Sequence, residues 1–208
     1  MKTALIEAHY LPSIAYFSAL QSASEITLEC HEHYTKQTFR NRCTINTTQG
    51  RLDLTVPLTD KHGKVLITDI RIHNDQKWVN NHWRTIRSAY ANAPFFEHYG
   101  DELESLLYQK HTFLYDLNFA LLSMCLKWLK WSKPLKESLS YEKSLPQDID
   151  LRSQINPKKK ELLVEFFTPV PYTQVFGSTF EENLSIIDLV FCVGPAAAEF
   201  VRDSSDRK

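Results

Sequence analysis

The chain has 208 residues, 43% of them hydrophobic and 24% charged, and its 24 basic and 25 acidic residues leave a formal net charge of −1. That length supports one self-sufficient core, and the charge balance excludes a general polyanion-binding surface, so no nucleic-acid partner is expected. Only five glycines occur, and no two are close enough to build a dinucleotide fingerprint or a Walker A loop, so a phosphate would have to be held by side chains.

Thr3 to Ala8 reads as a strand, Ile14 to Ala23 as a helix and Glu25 to Cys30 as a second strand. Strand–helix–strand order implies a parallel pair, because parallel neighbours need a crossover. Ligands of open α/β sheets collect at the carboxyl ends of the strands. The segment there is Glu7-Ala8-His9-Tyr10-Leu11-Pro12. Glu7 and His9 can serve as base and acid, and Tyr10 can stack or donate a proton; the plain alternative is a turn with His9 exposed and Tyr10 packed.

Lys36-Gln37-Thr38-Phe39-Arg40-Asn41-Arg42 follows, three cations within seven residues. Arginine forks match carboxylate and phosphate oxygens two at a time, so Lys36, Arg40 and Arg42, with Asn41, form a candidate anion clamp. On a strand, Arg40 and Arg42 would share a face. The structural alternative is a charged hairpin edge.

Leu52, Leu54, Val56 and Leu58 alternate with polar residues, and Leu66, Ile70 and Ile72 repeat the phase after an Asp60-Lys61-His62-Gly63 turn, which predicts a hairpin. A helix capped by Asn74 or Asp75 carries Val79, Trp83, Ile86 and Tyr90 on one face. Trp78, His82 and Arg84 lie on its shoulder, where they suit either a ligand rim or a core boundary. Pro94 ends this helix. A second helical stretch, capped by Asp101, runs as a pair or as one bent helix to Trp128.

Ser138 to Glu142 reads as a further strand, Pro157 to Lys160 as an exposed loop, and Leu162 to Phe167 as a strand or helical turn. Tyr172 and Gln174, two apart in an extended segment, can face one pocket. Asn183 is placed to cap a buried helix over Leu184 to Cys192. Asp188 falls inside that apolar run, and a buried carboxylate needs a partner, for which Arg40, Arg42 or another cation is the expectation. Pro195 can open a short terminal helix.

The four cysteines, Cys30, Cys43, Cys125 and Cys192, have no C-x-x-C spacing, and the eight histidines form no metal-ligand motif, so no metal site is expected. No signal peptide or membrane span is read, and a cytoplasmic protein is expected. No motif names a cofactor or an oligomeric state.

Several segments, in order along nearly the whole chain, resemble the WbqC-like family of bacterial proteins. They are Tyr10 and Pro12 with Tyr16-Phe17, Phe39-Arg40-Asn41-Arg42, Leu54-Thr55-Val56-Pro57, His82-Trp83-Arg84 with Ser88-Ala89-Tyr90, and Pro94-Phe95-Phe96. Pro171-Tyr172-Thr173-Gln174-Val175-Phe176 and Asn183 to Leu189 with Gly194-Pro195 resemble the Bacteroidetes-type form. The chain departs from the family at Glu7-Ala8, where members commonly carry Gln-Pro. The resemblance implies association with surface-polysaccharide gene clusters and transfer of an aminoacyl or similar acyl group onto an amino sugar.

The combined expectation is a single α/β domain over residues 1–202 with a charged tail at 203–208. Its fold is a short, largely parallel, Rossmann-like sheet with a β-hairpin extension and several helices. The functional expectation is a transferase of polysaccharide biosynthesis with a phosphorylated or carboxylated small-molecule ligand; the alternative is a non-catalytic ligand-binding or scaffold protein. In the enzyme reading Glu7, His9 and His82 move protons, and Tyr10, Lys36, Arg40, Asn41, Arg42, Trp78, Arg84, Tyr172 and Gln174 bind substrate. Asn183 and Asp188 support the site. That reading requires His9, Arg40, Arg42 and His82 or Tyr172 to converge on one concave site.

Overall fold

Strand β1 (Thr3–Ile6) and strand β2 (Glu25–Leu28) pair in parallel in the register Thr3↔Glu25 to Ile6↔Leu28, joined through helix α1 (Ile14–Leu20). The coordinates are a computed structural model, and they describe residues 2–59, 63–75, 77–142, 149–158, 160–177 and 179–205. Two short strands from the second half of the chain complete the sheet. Strand β5 (Leu135–Glu137) pairs with β2, and β6 (Ile149–Asp150) pairs with β1, both in parallel. The order is β5-β2-β1-β6. The chain therefore leaves β1 toward one side, through β2 and β5, and returns to β1's other side as β6. That reversal creates a topological switch point between β1 and β6, the place where open parallel sheets put their ligands.

The expected α/β fold with a parallel sheet and a hairpin extension is thus what forms, but the hairpin is a different one. Strand β3 (Arg42–Thr47) pairs antiparallel with β4 (Gly50–Thr55) through a two-residue turn, from Arg42↔Thr55 to Thr47↔Gly50. The segment predicted to be β4's partner meets it only beyond the strand, at one bridge between Leu58 and Ile72. A turn of two residues closes far less chain than one spanning Asp60 to Gly63, and the nearer strand takes the edge. Asp60 to His62 lie outside the described residues.

Helix α2 (Trp78–Tyr90) buries Trp83, Ile86, Ala89 and Tyr90 against the core, with Val79 half-buried, so the predicted apolar face is real. Its cap position is Lys77 rather than Asn74 or Asp75. Helix α3 (Phe96–Leu107) begins well before Asp101, because Phe96 itself packs inward, its ring stacked on Trp83 at 5.9 Å and edge-on to Phe191. Helix α4 (Leu114–Trp128) is separate, so the long apolar stretch is a helix pair. The strand expected at Ser138 to Glu142 lies earlier, since β5 ends at Glu137, one residue before the expected start. Helix α5 (Lys160–Leu163) is a single turn.

Helix α6 (Ile186–Val193) is buried over Ile186 to Cys192 and is followed, after the 3₁₀ turn Gly194–Ala196, by α7 (Ala197–Ser205). The first residues of the predicted tail are therefore helical. Asn183 does not cap α6, whose cap position is Ser185. Its Oδ1 instead accepts from the Ala15 backbone N–H at 3.0 Å, so it satisfies a free donor in the first turn of α1 and ties the two ends of the chain together. Gly194 has φ +57°, and a Cβ there would stand 2.4 Å from the Phe95 ring, so only glycine fits where α6 turns past α3. Among the described residues no helix is long and apolar enough to cross a membrane.

Candidate active site

Each parallel strand delivers a polar side chain just past its carboxyl end, and these side chains meet. Glu7 follows β1; Glu29, Cys30 and His31 follow β2; Ser138 follows β5; Asp150 ends β6 and Arg152 follows it. The sheet's backbone bonds continue into this zone, from Glu29 N–H to the Ile6 carbonyl and from Ser138 N–H to the Leu28 carbonyl, which fixes where the side chains emerge.

Glu7 and His9 form the centre. His9 Nε2 lies 3.3 Å from Glu7 Oε1, and both residues are at most 1% exposed. The Ser153 backbone N–H donates to Glu7 Oε2 at 2.9 Å, and Arg40 Nη2 lies 3.4 Å from Glu7 Oε1. Burial alone would raise the Glu7 carboxyl, but the hydrogen bond with His9, the Arg40 charge and the Ser153 amide outweigh it and bring its pKa down to about 2. Glu7 is therefore a carboxylate and can only accept. His9, whose pKa burial lowers against the pull of Glu7, is neutral near pH 7, so its single ring proton sits on Nε2. Its Nδ1 lone pair is buried and has no partner among the described residues. The ring is held between Tyr16 at 4.9 Å and Phe39 at 5.7 Å, and the Tyr16 hydroxyl donates to the Glu7 backbone carbonyl at 3.0 Å. A carboxylate that fixes the tautomer and leaves the opposite nitrogen unpartnered is an arrangement that can support proton transfer once a donor reaches that nitrogen.

Arg40 is 1% exposed. Its Nε and Nη2 donate to the two oxygens of Glu32 at 2.6 Å each, a bidentate fork that with Glu7 keeps the guanidinium charged against the opposing effect of burial. Burial pushes the Glu32 carboxyl upward, in part offset by Arg40. Arg40 Nη1 is buried without a partner among the described residues, as is Oδ1 of Asn118 on α4, whose Nδ2 donates to the Arg40 backbone carbonyl at 2.7 Å. On the β6 side, Arg152 joins Asp150 at 2.6 Å to Glu29 at 3.0 Å, and Glu29 Oε1 also accepts from the Ser138 hydroxyl at 2.9 Å.

The other residues singled out in the sequence lie elsewhere: of the positions whose convergence the enzyme reading requires, His9 and Arg40 meet at Glu7, while Arg42, His82 and Tyr172 do not join them, so that requirement fails and an enzyme reading rests on the Glu7–His9–Arg40 cluster alone. Arg40 and Arg42 do not share a face: Arg40 precedes β3 and points to Glu32, whereas Arg42 opens β3 and approaches Asp53 across the hairpin at 3.9 Å. Asn41 is buried and structural, bonding the Val56 carbonyl and accepting from Tyr34, while Lys36 is exposed on the loop. Tyr10, Trp78 and His82 form a second cluster, with the Tyr10 hydroxyl 2.9 Å from His82 Nδ1 and the Trp78 ring edge-on to His82. Arg84 is exposed beside the hairpin turn. Among the described residues no cation pairs with Asp188. Its oxygens accept from Tyr90 at 2.7 Å and Tyr172 at 2.6 Å, with Gln174 at 3.4 Å, and burial raises its pKa despite them. Two phenols satisfy a buried carboxyl without the desolvation cost of an arginine.

Burial takes His82 down to about 4, only partly offset by its bond to the Thr55 backbone. Because the unfolded ring titrates near 6.5, the unfolded state takes the proton first, and stability contributed by neutral His82 is complete above pH 6.5 and lost as the pH falls toward 4. The full effect is on the order of 3 kcal/mol. Urea unfolding of a His82→Gln variant should show a flatter stability profile between pH 6.5 and 4 than the parent; an unchanged slope would show that His82 is not the group responsible.

The model of the WbqC-like protein family matches residues 7–159. The chain belongs to that family. The matched span opens on Glu7 and encloses His9, Glu29, Glu32, Arg40 and Arg152, so the whole carboxyl-end cluster of this WbqC-like protein falls within it. A relative from Mycobacterium tuberculosis (strain ATCC 25618 / H37Rv), "Uncharacterized protein Rv1507c", is 30% identical over 229 aligned residues covering 97% of each chain. No solved structure matches.

Sequence reasoning missed Glu29, Glu32, Ser138, Asp150 and Arg152. The rule that selected Glu7, a polar residue just past a strand's carboxyl end, applies equally to Glu29. Asp150 and Arg152 carry no comparable signal, because β6 is only two residues long.

Proposed function

We propose that this WbqC-like protein is a cytoplasmic group transferase of surface-polysaccharide biosynthesis, in which His9 is the general base. Its acceptor would be an amino sugar, free or nucleotide-linked, and its donor an activated acyl or aminoacyl group. The observation that carries the reading is the His9 imidazole at the switch point of the sheet, with Nε2 held by the Glu7 carboxylate and Nδ1 buried without a partner among the described residues. His9 Nδ1 takes the proton as the acceptor's amine attacks the donor carbonyl carbon. The bond from that carbon to its leaving group then breaks, and the proton on His9 passes to the leaving group. Arg40 Nη1, a buried unpaired donor, suits the oxyanion formed in between. Glu7, Glu29 and Asp150 make the surroundings favourable to an amine.

A thermal-shift screen against UDP-linked amino sugars, the free amino sugars and acyl-coenzyme A thioesters tests this. A ligand that binds only the native state raises the melting temperature, by an amount set by its concentration over its dissociation constant. At least one amino-sugar acceptor should raise it, and its N-acetylated form, lacking the nucleophile, should do so less. A screen in which no amino sugar shifts the transition counts against the reading.

A further inference from the structure

The largest cleft described lies over the outer face of the hairpin and holds about 570 Å³, within the usual range for small-molecule sites. Its lining is mixed: Leu52, Val164 and Phe167 are apolar, Leu52 being 42% and Val164 75% exposed, while the carboxylates Asp53 and Glu182 line it together with Arg42. Leu52 and Val164 give the cleft an apolar side open to solvent. Its charged groups do not balance one another in the same way. Arg51 donates to the Glu182 carbonyl at 2.8 Å and faces Glu181. Arg42 is less well served, since its only described ion pair is the 3.9 Å contact with Asp53 and its Nε is buried with no partner among the described residues. At one end of the cleft stands Phe39, whose ring is the same one that packs on His9 at 5.7 Å. Phe39 therefore touches both the cleft and the buried imidazole.

We propose that this cleft is a subsite for a ligand consisting of an apolar chain that ends in an anionic group, the chain lying on Leu52, Val164 and Phe167 and the anion on Arg42. It deepens the transferase reading, on which it rests for its meaning: a chain seated here lies against Phe39, whose ring packs on His9. Such chemistry comes from two sources, a straight acyl chain on an acidic carrier or an isoprenoid phosphate, and both present an apolar tail with an anionic head.

Isothermal titration with decyl phosphate and with farnesyl phosphate, each below its micellar concentration, tests the subsite, with inorganic phosphate as the control. The expected result is saturable one-to-one binding of at least one amphiphile, weakened tenfold or more by Arg42→Gln and by Val164→Asp, with inorganic phosphate far weaker. Tighter binding of decyl phosphate points to the straight chain, and tighter binding of farnesyl phosphate to the isoprenoid. Val164 is exposed, so its variant keeps the fold, and circular dichroism checks both. A His9→Gln variant should bind the amphiphile as the parent does, so a failure of the base assignment leaves this result standing. No saturable binding by either amphiphile, or binding indifferent to both substitutions, overturns the proposal.

Discussion

Replacing Arg40 by Met should destabilise the protein by about 3–5 kcal/mol, the cost of leaving a buried partner charge uncompensated. Arg40 holds both oxygens of Glu32 at 2.6 Å and lies 3.4 Å from Glu7. Without it two buried carboxyl groups confront each other, and Glu32, already pushed upward by burial, is the one that takes up a proton. The double variant Arg40→Met with Glu32→Leu should recover part of the loss, since an apolar pair of similar volume can replace a buried ion pair at little cost. Urea unfolding of the two variants measures both numbers. An Arg40→Met protein within about 1 kcal/mol of the parent would mean that the fork contributes little to the fold. The sequence suggests a ligand clamp that can be removed from a folded protein; the 1% exposure of Arg40 makes it first a part of the core.

If His9 is the general base of the proposed transferase, replacing it by Gln should lower turnover by about 10²–10⁴, the usual range for losing such a group, while changing acceptor affinity little. Glutamine retains an N–H for the Glu7 carboxylate but supplies no basic nitrogen. Glu7→Gln should lower turnover too, by a different route: the carboxamide neither fixes the Nε2–H tautomer nor stabilises the imidazolium that forms. The acid side of the rate profile separates the two roles. In the parent, Glu7 stays ionised down to about pH 2, so loss of activity on acidification follows His9, below its ordinary value of 6.5. A His9→Gln enzyme with parental turnover would remove His9 from the chemistry.

Much of the fold was legible because it is written locally. The β1–α1–β2 unit, the inward face of α2 and the buried α6 each carry a periodicity that tertiary packing did not need to override. The hairpin partner was misassigned because β3 and the Leu66 to Ile72 segment offer β4 equally plausible alternation, and only loop length distinguishes them. The edge strands β5 and β6, of three and two residues, are too short for any period and exist through their neighbours.

The site was legible in part for the same reason. Glu7 and His9 stand at the end of a strand that the sequence shows plainly. Arg152 reaches the cluster from residue 152 only because β6 returns to β1, a long-range fact. Conversely, Trp78, His82 and Arg84 suit either a ligand rim or a core boundary in the sequence, and His82 stands in the core with both ring nitrogens engaged, by Tyr10 and by the Thr55 backbone. The motif residues of a single sequence do not say which histidine is held and which is left with a free lone pair.

That distinction is the central claim, and imidazole ¹⁵N–¹H correlation spectra of ¹⁵N-histidine-labelled protein, assigned with His9→Gln and titrated from pH 8 downward, test it most directly. The His9 ring is expected to be neutral at pH 7 with its proton on Nε2, and to titrate below 6.5. A proton on Nδ1, or a midpoint at or above 6.5, would contradict it.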